Sequence, residues 1–154
     1  MFKWIYKISL QNSVVYFFSI ILIILLILTF ILWWIMTNKF EQISIKSGFM
    51  KHNGGVLFKN ISEVEYEFKS TINENHLNAA GITHGGYLAA LIDAGAGTAA
   101  HRSADNAPCV TISLDLKFIG TSKIGDEIIG KVKILKKTKT LIFLFCELKS
   151  NNKI

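Results

Sequence analysis

The run from Val14 to Met36 constrains the fold of this chain more than any other feature, because its 23 consecutive residues carry no charge. As an α-helix rising about 1.5 Å per residue, the run would extend roughly 35 Å, enough to cross a hydrocarbon core of about 30 Å. Tyr16 near one end, and Trp33 and Trp34 near the other, suit the two membrane interfaces. A cleaved signal peptide would have a shorter apolar region and a small-residue cleavage site. The run is therefore predicted to be an uncleaved transmembrane anchor, with a buried helix of a soluble protein as the alternative.

The other residues of the 154-residue chain suffice for one small globular domain. Changes in composition along the chain predict four segments. They are a polar-aromatic lead over residues 1–13, the anchor over 14–36, a mixed juxtamembrane segment with one weak helical pattern over 37–53, and the domain over 54–154.

The net charge of +6 invites a nucleic-acid interpretation. However, sixteen of the seventeen basic residues are lysines, and only Arg102 carries the guanidinium group that most often reads bases. No nucleic-acid partner is therefore predicted. A late lysine cluster is typical of a solvated hairpin, although it could also meet a phosphate. Its members are Lys131, Lys133, Lys136, Lys137 and Lys139.

Neither the cysteines nor the histidines form a metal-binding or disulfide pattern. Cys109 and Cys146 lie in or beside strand-like runs and are interpreted as small buried hydrophobic residues. The four histidines lack both the paired spacing and the cysteine neighbours of a zinc site. No metal and no cofactor is predicted. The histidines are His52, His76, His84 and His101.

Alternation of apolar and polar residues predicts an α+β domain of antiparallel strands with one long helix. The helix is predicted at about residues 86–101, where alanine and glycine are abundant. A curved sheet can wrap closely around such a helix, because its small side chains let the backbones approach. The 141–146 run is apolar on both faces, which favours a central place in the sheet. Strands are predicted at 56–59, 62–69, 110–118, 127–135 and 141–148.

The segment from Asn78 to Asp93 has the composition of an active site. His84, Gly85 and Gly86 precede the helix directly, and glycines there leave backbone N–H groups uncovered at the positive end of the helix dipole. An oxyanion could bind at this point. Asp93 is a lone carboxylate among small and apolar residues, so it is expected to be desolvated, paired or catalytic. The simpler alternative is a capping turn followed by a buried, satisfied aspartate.

The spacing of Gly85 and Asp93 predicts a dimer if both residues take part in catalysis. Eight residues separate them, which corresponds to roughly 12 Å along one helix axis. A single carbonyl must lie within about 3 Å of both the oxyanion donor and the base. Two antiparallel helices from two chains would bring Gly85 of one chain toward Asp93 of the other, which gives a two-fold dimer with two sites.

The chain resembles the hotdog-fold acyl-CoA thioesterases over roughly residues 48–150, specifically the group that includes the phenylacetate-pathway thioesterase. The resemblance is carried by Asn78, by His84-Gly85-Gly86, by Asp93 nine residues after the histidine, and by Thr111 in the following strand. Residues 118–126 also resemble the family's strand exit and Gly-Asp turn. The resemblance implies a hotdog fold, in which a curved antiparallel sheet wraps around one central helix.

The resemblance also implies hydrolysis of acyl-CoA to a free acid and CoA, with a role for each residue. The Gly85 N–H would polarise the thioester carbonyl, and Asp93 would act as base or nucleophile. Asn78 would orient the water or the carbonyl, His84 would shape the pocket, and Thr111 would assist through its hydroxyl. Asn78 could instead be a plain turn residue, His84 could simply bond the backbone, and Thr111 could be an ordinary strand residue.

The resemblance implies acyl-CoA as the substrate and a homodimer or dimer of dimers as the assembly. Two features depart from the family: relatives continue into a further strand after the equivalent of Leu148, and most of them lack an anchor. The domain is thus expected to lack its last strand. The alternatives are an inactive, membrane-tethered acyl-CoA-binding or assembly module, and a hotdog hydratase or dehydratase.

A single-pass membrane location with a cytoplasmic catalytic domain is expected, because acyl-CoA is found in the cytoplasm. Lysine counting does not fix the orientation, since Lys3 and Lys7 precede the anchor while Lys39, Lys46 and Lys51 follow it.

Overall fold

The computed structural model describes residues 2–37 and 39–150, with the backbone alone for residues 2–11 and 37. The chain divides into two compact units, residues 1–39 and residues 40–154. The family's further strand would fall largely on residues 151–154 and beyond, outside the described residues.

The first unit contains one long helix, α1, which spans Phe2–Thr37. Within α1, the stretch Asn12–Met36 is long and apolar enough to cross a membrane by length and composition. Two of its hydroxyl groups bond back to the helix: Ser19 Oγ donates to the Val15 carbonyl, and Thr29 Oγ1 donates to the Leu26 carbonyl. The helix begins at Phe2, so most of the predicted lead is helical and continuous with the apolar run.

The second unit is a five-stranded antiparallel sheet in the order β1-β2-β3-β4-β5, crossed by one long helix. The short helix α2 lies in the predicted juxtamembrane segment, and the long helix α3 follows β3. The elements are β1 (Glu41–Gln42), α2 (Phe49–His52), β2 (Leu57–Asn60), β3 (Glu65–Thr71), a 3₁₀ turn (Glu74–His76), α3 (Gly85–Ser103), β4 (Glu127–Lys137) and β5 (Ile142–Ser150).

The core forms where α3 packs on one face of the sheet. In β3 the alternation holds as predicted, since Tyr66 and Phe68 are buried while Glu65 is exposed. The Phe68 ring fills the space above two glycines, Gly95 on α3 and Gly130 on β4: a Cβ at either position would lie within 2.3 Å of the ring. Helix and sheet therefore approach as closely as they do because these positions have no side chain.

Two strand predictions are wrong. Residues 110–118 form no strand, and over 108–121 the structure shows no backbone hydrogen bond to any described residue. The alternation there fits a strand, but a strand also needs a neighbour, and no described strand lies beside it. β5, predicted to be central, pairs only with β4 and is one of the two edge strands among the described residues, with Phe143 and Phe145 exposed.

Candidate active site

Asn78 organises the loop that leads into α3. Its side-chain Oδ1 accepts hydrogen bonds from the N–H groups of Ala80 and Ile82, at 2.9 and 3.3 Å. Its backbone N–H donates to the Ile82 carbonyl at 2.8 Å, and its carbonyl accepts from Gly81 at 2.9 Å. Both acceptor positions of Oδ1 are thus occupied by the turn. Among the described residues, no hydrogen bond uses the Asn78 Nδ2 amide.

His84 caps the start of α3. Its Nδ1 accepts a hydrogen bond from the Gly86 N–H at 2.8 Å, and its backbone N–H donates to the His76 carbonyl at 2.7 Å. The ring therefore bonds backbone, as in the simpler of the two predicted alternatives. A consequence follows for the two glycines: the Gly86 N–H is occupied, whereas the Gly85 N–H has no partner within the described part of the chain.

The ring of Phe118 lies beside Gly85. A Cβ on Gly85 would meet three ring atoms of Phe118 at 3.4 to 3.8 Å. Sequence analysis placed Phe118 at the end of an alternating run and at the start of the family-like segment 118–126, but it did not predict this contact, because the contact joins positions that are 33 residues apart. Phe118 is nevertheless 57% exposed, so much of its ring remains open.

Asp93 and Thr111 are brought together, although the predicted strand around Thr111 does not form. The Thr111 hydroxyl donates to Asp93 Oδ1 at 2.5 Å. Both residues are exposed in the single chain, so the expected desolvation of Asp93 is absent and the carboxylate is paired instead. No hydrogen bond among the described residues uses Asp93 Oδ2.

Gly85 and Asp93 lie on the same helix, α3. The separation of about 12 Å along its axis is too long for one carbonyl to contact both residues. Within one chain, the unpartnered Gly85 N–H therefore lies at the start of the helix, and the paired Asp93 carboxylate lies about two turns later.

A buried polar cluster supports the first turn of α3. The rings of His76 and Tyr87 stack with centroids 3.7 Å apart. His76 Nδ1 accepts from the Asn73 N–H, so Nε2 carries the proton and donates to the Asn53 carbonyl at 2.9 Å. The Tyr87 hydroxyl bonds Ser70 Oγ at 2.7 Å. Burial lowers the pKa of His76 and raises the pKa of Tyr87, so both rings are held neutral.

A second buried pair fastens the loop to the segment after α3. The Thr83 backbone N–H and hydroxyl both donate to the Ser122 carbonyl, at 2.9 and 3.0 Å. The Ser122 hydroxyl donates in turn to Thr83 Oγ1 at 2.7 Å. We call residues 111–122 the strap. Its Thr111 is hydrogen-bonded to Asp93 on α3, and its Ser122 is hydrogen-bonded to Thr83 in the loop before α3. The sequence did not single out either residue of this pair.

The model of the Thioesterase superfamily matches residues 80–153 of the chain. The match covers slightly less than half of the chain. Solved thioesterase structures share its hotdog-type fold, which combines an antiparallel sheet with a helix. Acyl-coenzyme A thioesterase 13 of Mus musculus is 35% identical over 77 residues, which are 50% of this chain and 55% of that protein. The match thus spans about half the length of this curated relative.

Two solved structures share the fold. The crystal structure of zebra fish thioesterase superfamily member 2 superposes with a TM-score of 0.63 at 26% identity, covering 70% of this chain and 78% of that one. A hypothetical thioesterase protein from Streptococcus pneumoniae, solved with coenzyme A, superposes with a TM-score of 0.58 at 18% identity, covering 73% of this chain and 84% of that one. The second likeness concerns the fold alone.

Proposed function

We propose that the domain hydrolyses acyl-CoA thioesters to a free acid and CoA. The observation that carries the proposal is the pair of half-sites on α3: an unpartnered N–H at Gly85 and a carboxylate at Asp93 oriented by the Thr111 hydroxyl. A thioester is an activated acyl group, so a base, a placed water and an oxyanion donor suffice for its hydrolysis. The names of the curated relatives support the same chemistry.

The proposed reaction begins when Asp93 Oδ2 takes a proton from a water that attacks the thioester carbonyl carbon. The carbonyl oxygen becomes negative and accepts a hydrogen bond from the Gly85 N–H. The tetrahedral intermediate then collapses, the carbon–sulfur bond breaks, and the CoA thiolate leaves and is protonated. If Asp93 acts instead as nucleophile, its oxygen attacks the carbonyl carbon, the carbon–sulfur bond breaks and the CoA thiolate leaves and is protonated. Water then hydrolyses the mixed anhydride, which releases the free acid and regenerates Asp93.

Asn78 is proposed to orient the carbonyl rather than the water. Its Oδ1 already accepts two backbone hydrogen bonds, so the side chain offers substrate its Nδ2 donor and no open acceptor. A donor can bond a carbonyl oxygen. His84 is proposed to act indirectly, by engaging the Gly86 N–H and leaving that of Gly85 as the donor for the oxyanion.

The complete site is proposed to form across a two-fold dimer, with Gly85 of one chain facing Asp93 of the other. The separation of these residues on α3 supports this arrangement, because one chain cannot bring both to one carbonyl. Closure of the dimer would also cover Asp93 and Thr111, which are exposed in the single chain.

The deciding experiment is thiol release from short acyl-CoA esters by the full chain in detergent, compared with Asp93→Asn. This variant keeps the shape of the side chain and removes its basic oxygen. Turnover by the wild type and its loss by at least about a hundredfold in a variant of unchanged oligomeric state are expected. Near-wild-type turnover by Asp93→Asn would reject the role of this residue. Acyl-CoA binding without turnover by the wild type would indicate an inactive binding module.

Membership of the phenylacetate-pathway group is also proposed, on the spacing of Asn78, Gly85, Asp93 and Thr111. It is tested by the same assay with aryl and alkyl acyl-CoA esters. A clear preference for alkyl esters would argue against that group.

We further propose that residues 14–36 span a membrane and that the domain faces the cytoplasm. The exposed, uncharged side chains of residues 14–36 support the anchor, and the location of acyl-CoA supports the orientation. Protease protection in sealed vesicles tests both, with cleavage after lysines around Glu127 as the readout. Cleavage from the non-cytoplasmic side would contradict the orientation and the thioesterase proposal together.

A further inference from the structure

Phe118 occupies a defined place beside the proposed oxyanion donor. Its ring packs at the distance of an ordinary side-chain contact from the Cβ position of Gly85. The space between the ring and the Gly85 Cα is therefore only about as wide as a methyl group, and the ring lies next to the residue that carries the proposed donor.

The strap holds Phe118 in this place from both sides. Four residues after Phe118, Ser122 is bonded three times to Thr83 in buried surroundings. Seven residues before Phe118, Thr111 is bonded to Asp93. The strap thus connects the two proposed half-sites of one chain, and the phenylalanine lies between its two attachment points.

The exposed part of the ring is apolar surface next to a polar donor. Such a surface favours contact with the acyl carbons that follow a thioester carbonyl, because their burial removes apolar area from water. It also excludes water from the hydrogen bond between the Gly85 N–H and the oxyanion, which strengthens that bond.

We propose that Phe118 forms a wall of the acyl subsite and sets the dependence of the reaction on acyl chain length. The proposal rests on the proposed thioesterase function. It predicts that the contribution of Phe118 grows with each acyl carbon that reaches the ring, whereas a purely structural role would affect all substrates equally.

The test compares acetyl-CoA with hexanoyl-CoA, using the full chain in detergent and the variants Phe118→Ala and Phe118→Leu. One buried methylene contributes roughly fourfold to affinity. With between one and two of the additional methylenes of hexanoyl-CoA against the ring, Phe118→Ala is expected to reduce kcat/KM for hexanoyl-CoA about tenfold more than for acetyl-CoA. Phe118→Leu, which keeps an apolar wall, should lose less. Phe145→Ala is the matched control, since this β5 phenylalanine is 58% exposed against 57% for Phe118.

Affinity for the non-hydrolysable thioethers S-ethyl-CoA and S-hexyl-CoA tests the contact between Phe118 and the acyl chain independently of hydrolysis. A larger loss for S-hexyl-CoA in Phe118→Ala supports the wall, even if the wild type shows no turnover and the thioesterase proposal fails. Equal losses for both chain lengths, or the same length dependence in Phe145→Ala, would overturn the wall while leaving the thioesterase proposal intact. If Phe118→Ala does not fold, Phe118→Leu carries the comparison: a loss independent of chain length would overturn the proposal.

Discussion

At the scale of single residues, local hydrogen bonds decide which polar atoms are available for chemistry. Asn78 Oδ1 and the Gly86 N–H are both occupied by the loop itself, while the Gly85 N–H is left without a partner among the described residues. Gly85 is the first residue of α3, and the first N–H groups of a helix have no intrahelical acceptor. The open donor is therefore a consequence of helix geometry, with His84 selecting which glycine provides it.

Gly85→Pro should remove this donor while the helix remains. Proline suits the first helical position, and His84 already has the extended conformation (φ −65°, ψ 130°) that a residue before proline requires. We expect kcat to fall about 10²- to 10³-fold, as for the loss of one oxyanion donor. Gly85→Ala is the control, because it keeps the N–H and places a methyl group in ordinary contact with Phe118. Equal losses in both variants would indicate crowding rather than loss of the donor.

At the level of secondary-structure elements, two aromatic contacts hold α3 in place. The stacked His76–Tyr87 pair supports the first turn of the helix, and the Phe68 ring packs between α3 and the sheet.

The helix and four of the strands could be predicted from the sequence, because α3 is a long run rich in small residues and β3 alternates strictly. The contacts that shape the candidate site could not be predicted from the sequence. Phe118 meets Gly85, and Thr83 meets Ser122, through tertiary packing that leaves no local pattern. The prediction of a strand at 110–118 was wrong for a related reason. Alternation of apolar and polar residues indicates a tendency to form a strand, but it does not show whether another strand is available for pairing.

Acidification should destabilise the fold through His76. Burial lowers the pKa of this ring in the folded state, whereas in the unfolded chain it is about 6.5. The unfolded state therefore binds the proton more readily, and the stabilisation is complete above pH ~6.5 and is lost as the pH falls below it. Melting temperature measured between pH 7.5 and 5 should decline in this window. The exposed His52 provides the control, and His52→Asn should leave the decline unchanged.

Two glycines on α3 should respond oppositely to alanine. A Cβ on Gly95 would overlap the buried Phe68 ring at 2.3 Å, whereas a Cβ on Gly97 would meet no described atom within 4 Å. Both changes gain helix propensity of roughly 0.5–1 kcal/mol, but Gly95→Ala also overpacks the core at a cost of about 1–3 kcal/mol. Chemical denaturation should show Gly95→Ala destabilised and Gly97→Ala unchanged or stabilised. Equal stabilities would mean that Phe68 can move aside.

At the scale of the whole molecule, the proposed site is divided between two chains while each chain carries both halves. Gly85 lies at the start of α3 and Asp93 about two turns later, so the proposed two-fold arrangement of antiparallel helices would form two equivalent sites. Each subunit then contributes the donor to one site and the carboxylate to the other. This division can be distinguished from a site within one chain without a structure of the dimer.

Mixing two inactive variants should restore activity. Dissociation and reassociation of Asp93→Asn with Gly85→Pro in equal amounts gives about half heterodimers, each with one intact site out of two, so about one quarter of wild-type turnover is expected. Each variant exchanged with itself should stay inactive. If the mixture also stays inactive although mass spectrometry detects heterodimers, the site lies within one chain.

The proposed oxyanion donor belongs to the backbone, and this has a consequence for how the gene can vary. A side-chain donor is lost through many different codon changes, but the Gly85 N–H is present in every amino acid except proline. All glycine codons begin with GG and all proline codons with CC, so no single base change can delete this donor. Random point mutagenesis of the gene should therefore yield inactive alleles at Asp93 readily, whereas at codon 85 it can change the shape of the site but never its hydrogen-bond donor.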